Sequence, residues 1–89
     1  MTHKLTKFQL EVWNKIKPYL KEEYDTQITF DDELQINFSF GNGKIVLDVF
    51  PKDEVLLFIH FESEGFEKHF FNSSNLDYLI EILKKNEYQ

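Results

Sequence analysis

From Leu34 to Phe71 the chain alternates apolar and polar residues almost without a break, and its turn signals keep that alternation in phase. Leu34, Ile36, Phe38 and Phe40 share one face of a strand, and Ile45, Leu47 and Val49 continue that face beyond Asn42-Gly43. Val55, Leu57, Ile59 and Phe61 resume it after Pro51-Lys52-Asp53-Glu54. Period-two alternation carried through tight turns specifies an antiparallel sheet with one strongly apolar side. Read as a two-residue turn, Asn42-Gly43 sets Phe40 opposite Ile45, Phe38 opposite Leu47 and Ile36 opposite Val49. A second two-residue turn at Glu64-Gly65 puts Phe66 and Phe70 on the inner face and leaves Phe71 outside. Ile28 and Phe30 form a short first strand, reached through Asp31-Asp32-Glu33.

Helical spacing replaces this alternation at both ends. Thr6 and Gln9 fit a capping box, Leu5 and Leu10 a hydrophobic staple, and Phe8, Val12, Ile16 and Leu20 a buried stripe. Pro18 removes a helical donor and clashes with the preceding turn, so a kink or restart is expected there. A second helix is expected from Ser73 or Ser74, with Ser74 as cap and Asp77 in the first turn. Its buried stripe is Leu76, Leu79, Ile80 and Leu83, and residues 86–89 should fray. The expected fold is α+β: a four- to five-stranded antiparallel meander with the N- and C-terminal helices packed on one face. Eighty-nine residues leave room for a single domain, residues 1–89.

Composition excludes several function classes. The chain has no Cys, so neither a disulfide scaffold nor thiolate chemistry is open to it. It lacks Arg and carries a net charge of −6, which disfavours phosphate and nucleic acid. No apolar run approaches the roughly 18 residues of a membrane span, and residues 1–7 lack the apolar core of a signal peptide. A soluble, cytoplasmic protein is therefore expected. Ala is also absent, while Phe, Ile, Asn and Lys abound, as in an AT-rich bacterial or phage coding sequence. Charge is unevenly placed: residues 1–21 hold five lysines and one acid, whereas the rest holds five lysines and fifteen acids.

In an up-and-down meander the first and third turns share one end of the sheet. Asp31, Asp32 and Glu33 should therefore converge with Asp53 and Glu54, opposed by Lys52. The plain explanation is that Asp suits turns; the functional one is a docking edge for a basic protein. Calcium fits poorly, because the spacing lacks the D-x-D-x-D-G loop. A second candidate is the outer sheet face, where Val46, Phe50, Leu56, Phe58 and Phe71 are expected to project and where an exposed aromatic patch would mark an interaction site. In the register assumed at Glu64-Gly65, His60 faces His69 and Glu62 faces Glu67, a grouping that could hold a metal but is more simply exposed strand residues. Ser63, Ser73 and Ser74 read as turn and cap residues, and His3 is assigned no role.

No nucleophile elbow or glycine-rich phosphate loop occurs, so no enzyme, cofactor or resident metal is expected. The leading expectation is a small acidic inhibitor, of the immunity or antitoxin kind or from a phage. It would occlude the active site of a basic toxin or nuclease. Its partner-binding residues would be Asp31, Asp32, Glu33, Asp53, Glu54, Phe50, Phe58, Glu62 and Glu67. The alternative is a structural or regulatory domain that forms a homodimer through the sheet face or the edge strand, residues 27–30.

Overall fold

The structure, a computed structural model, describes residues 5–20, 23–41, 43–62 and 65–85. Thr6 opens α1 (Lys7–Ile16) with the expected capping box: the Gln9 N–H donates to Thr6 Oγ1 at 3.2 Å, and the Thr6 N–H donates to Gln9 Oε1 at 2.9 Å. The α-helix stops at Ile16, before Pro18, and a single 3₁₀ turn, Lys17–Tyr19, follows it, so the helix neither kinks nor runs on through Leu20. Leu10 is exposed, so only the Leu5 half of the proposed staple reaches the core.

Five antiparallel strands follow in sequence order: β1 (Asp25–Ile28), β2 (Leu34–Phe40), β3 (Gly43–Val49), β4 (Val55–Phe61) and β5 (Gly65–Phe71). The last helix, α2 (Leu76–Leu83), buries Leu76, Leu79, Ile82 and Leu83; Ile82 takes the place expected of Ile80. Its N-cap is Asn75 rather than Ser74. The Asn75 side chain instead accepts the Asn72 N–H at 2.7 Å, which closes the turn leading into the helix. Both helices pack on the sheet face that carries Leu34, Ile36, Leu47, Val49, Leu57 and Ile59, and together they form one buried cluster.

Three strand expectations change. Between β2 and β3, Phe40 pairs with Gly43, Phe38 with Ile45 and Ile36 with Leu47, so the connection is Gly41-Asn42. The pairing is thus two residues away from the expected one. A shift of two leaves every side chain on its face, and the core is unaffected. Gly43 opens β3 for a steric reason, since a Cβ there would lie 1.8 Å from the His60 carbonyl oxygen on β4.

Between β4 and β5 the change has consequences. Phe61 pairs with Gly65, so residues 62–64 make the connection, one residue more than expected. Gly65, the first residue of β5, has φ +88, in the left-handed region that favours glycine. A shift of one residue exchanges the faces of β5. Phe71 is therefore buried on the helix side, while Phe66 and Phe70 lie outside, 63% and 58% exposed. Finally, Phe30 is not in a strand but at the tip of the β1–β2 turn, and is 107% exposed. Asn42, Ser63, Glu64, His3 and residues 86–89 lie outside the described residues.

Candidate functional site

The two acidic turns do meet at one end of the sheet. Ile28 pairs with Leu34, Leu34 with Val49 and Val49 with Val55, so residues 29–33 and 50–54 leave the sheet at the same pole. What fastens them together is Gln9, 1% exposed and the one buried polar side chain among the described residues. Its Nε2 donates to the Asp32 carbonyl at 2.7 Å and to the Val49 carbonyl at 2.9 Å. The Thr6 hydroxyl adds a bond to the Pro51 carbonyl at 2.9 Å. The start of α1 thus grips both turns, and both protons and the oxygen of the Gln9 amide are engaged.

Each turn is itself fixed. In the first, the Asp32 N–H donates to the Thr29 carbonyl at 3.0 Å and the Thr29 N–H to the Glu33 carbonyl at 2.9 Å. The Glu33 N–H reaches Thr29 Oγ1 at 3.1 Å. In the second, the Phe50 N–H donates to the Glu54 carbonyl at 2.9 Å. Asp32 and Asp53 hold φ of +61 and +40, in the left-handed region that Asp tolerates better than most residues. These two acids therefore have a conformational reason to be where they are, whatever else they do.

Charge at this pole is strongly negative. Asp31, Asp32, Asp53 and Glu54 are exposed and Glu33 is half-buried, with Lys52 in the second turn. Desolvation, then the charges of Asp48 and Asp31, push the Glu33 carboxyl above its ordinary range. Asp53 is held below the usual carboxylate range by hydrogen bonds from the Ser73 hydroxyl and N–H, the latter at 2.9 Å. This second bond ties the β3–β4 turn to the approach to α2, whose positive N-terminal end favours nearby anions.

The two shifts have opposite signs. The Asp53 bond contributes stability above the ordinary carboxylate pKa, and that stability is lost as pH falls through its lowered folded value. Glu33 is a burden while ionised, and the burden lifts as pH falls through its raised folded pKa. Glu33→Gln should therefore raise the melting temperature at pH 7. That gain should vanish below about pH 4.5, the ordinary Glu value. Thermal melts of both proteins from pH 7 to 4 check the sign.

The remaining candidates scatter. Phe58 lies on the outer sheet face with Val46 and Leu56, all half-buried, and Phe50 is half-buried where β3 ends. Glu62 is exposed in the β4–β5 connection. Glu67 pairs with Ile59 on the helix-side face, at a margin the helices leave open, and its Oε1 lies 3.1 Å from His69 Nε2. The expected His60–His69 and Glu62–Glu67 pairings do not form, because the longer connection puts His69 opposite Leu57 and His60 opposite Phe66. Among the described residues no group of three or more His, Asp or Glu could hold a metal ion.

Two residues escaped the sequence reading. Gln9 was seen as a cap, but its place three residues before Val12 and seven before Ile16 already put it on the buried stripe. Phe30 is expected in the first strand with Ile28, although the polar residues around it, Thr29 and Asp31-Asp32-Glu33, are turn formers. No described helix is long and apolar enough to cross a membrane. Set against protein-family models, curated proteins and solved structures, the chain matches none of them.

Proposed function

We propose that this chain is a small acidic binding protein that occludes the active site of a basic enzyme, such as a nuclease or toxin. One observation carries this reading: a hydrogen-bonded turn holds Phe30 fully in solvent among Asp31, Asp32 and Glu33, beside the Asp53-Glu54 turn. A turn with a fixed backbone loses little freedom on binding, and the aromatic side chain it presents can fill a partner's pocket as an anchor. The surrounding carboxylates would speed encounter with a basic surface and select for it. In a nuclease they would take the places of substrate phosphates.

Titrating the chain against the basic nucleases of its native host, with cleavage as readout, tests the proposal. One enzyme should be inhibited, and its affinity should fall steeply with added salt. Phe30→Ala should weaken that complex by about 30-fold, or 2 kcal/mol, while leaving the fold's stability within about 0.5 kcal/mol. Changing Asp31, Asp32, Asp53 and Glu54 to Ser should abolish the salt dependence. Inhibition of none of these enzymes, or a salt-insensitive complex, would contradict the proposal.

A further inference from the structure

The outer face of the sheet is divided. Its β1–β2 half is polar: Gln27 Nε2 donates to Gln35 Oε1 at 2.6 Å, and Gln35 Nε2 to Asp48 Oδ1 at 3.0 Å. The remainder, on β4, β5 and the start of β3, is apolar and basic, with Asp48 at its border. There Lys44, Val46, Phe58, His60 and Phe66 line a shallow open depression of about 560 Å³. The rings of Phe58 and Phe66 are 6.3 Å apart, and the Lys68 ammonium lies 6.0 Å from the Phe58 ring and 5.5 Å from that of Phe70. Lys44 and Lys68 are the only lysines in the five strands, and the pairing puts both on this patch. In a chain of net charge −6 this is a surface of the opposite sign.

We propose that this depression seats the Phe30 turn of a second copy of the chain, with Phe30 against Phe58 and Phe66 and its flanking acids facing Lys44 and Lys68. The two surfaces complement each other in shape class and in charge: an aromatic knob among carboxylates, and an aromatic hollow among ammonium groups. They lie toward opposite ends of the sheet. The depression adjoins the Gly43–Phe61 pair, while the turn leaves the sheet beyond Leu34 and Val49. One chain therefore cannot fill its own depression, and the contact is between copies, either reciprocal about a two-fold axis or head to tail. A two-fold contact of the depression with itself would instead bring each lysine against its own copy. A reciprocal pair closes at two copies, whereas a head-to-tail contact leaves a free knob and a free hollow and continues unless a ring closes. The inference does not need a foreign partner, although such a partner would compete with the second copy for Phe30.

Sedimentation velocity on the full chain over a concentration series tests it. Average mass should rise with concentration and fall with salt. Phe30→Ala, and separately Lys44→Glu with Lys68→Glu, should each weaken association by at least about tenfold. All three positions are exposed, and circular dichroism checks that the fold is retained. An equimolar mixture of the two variants should associate again but stop at a one-to-one pair, because one supplies only the hollow and the other only the knob. A monomer at every concentration would overturn the inference. So would association that survives Phe30→Ala, or a mixture that fails to pair; none of these results bears on inhibition of a basic enzyme.

Discussion

Gln9→Leu will destabilise the protein by about 3–5 kcal/mol, although leucine is similar in volume and favours helices. The loss comes from what the amide leaves behind. The Asp32 and Val49 carbonyls lose donors at 2.7 and 2.9 Å, and the Thr6 N–H loses its acceptor at 2.9 Å. A buried polar group left unpaired costs about 1–3 kcal/mol, and the capping box adds about 0.5–1 kcal/mol. A chain of this length is stable by only about 4–13 kcal/mol, so the change is severe. Gln9→Glu should be worse at neutral pH, because a buried carboxylate would face two carbonyl oxygens. Urea denaturation measures both, and a loss below about 1 kcal/mol for either would mean that the turns hold their places without Gln9.

Gly43→Ala should cost about 3 kcal/mol or more, for an unrelated reason. A Cβ at that position meets the His60 carbonyl oxygen at 1.8 Å, and neither group is a flexible side chain that could swing away. Strands β3 and β4 would have to part at this end, breaking the pairing of Gly43 with Phe61 and distorting the depression beside Lys44 and His60. The adjacent Gly41 is the control. A Cβ there meets nothing within 4 Å, so Gly41→Ala should change stability by no more than about 0.5 kcal/mol. Equal costs at the two glycines would show that the strands do not approach as closely as described.

The contrast between these glycines also shows where the sequence was legible. In β2 to β4 one parity is apolar throughout, from Leu34 to Phe61, so the face of each strand could be read before its partners were known. That is why a shift of two at the Gly41-Asn42 connection left the core as expected. β5 offers no such guide. Gly65-Phe66-Glu67-Lys68-His69-Phe70-Phe71 has aromatics on both parities, and Glu62, Ser63, Glu64 and Gly65 all suit a turn. One residue of loop length decided the faces, and with them whether Phe70 or Phe71 is buried and whether the histidines meet. The convergence of the acidic turns was legible because it follows from meander topology alone. The part played by Gln9 was not, because its helical phase marks it as buried but nothing local names bonding partners 23 and 40 residues away.

The account rests on one side chain fastening together two acidic turns that the meander already puts at the same pole. Nuclear Overhauser spectra of the Gln9 side-chain amide test this directly. The account predicts two resolved, slowly exchanging Gln9 amide protons with cross-peaks to both Asp32 and Val49. Freely exchanging protons at solvent-like shifts, with no cross-peak to either residue, would contradict it.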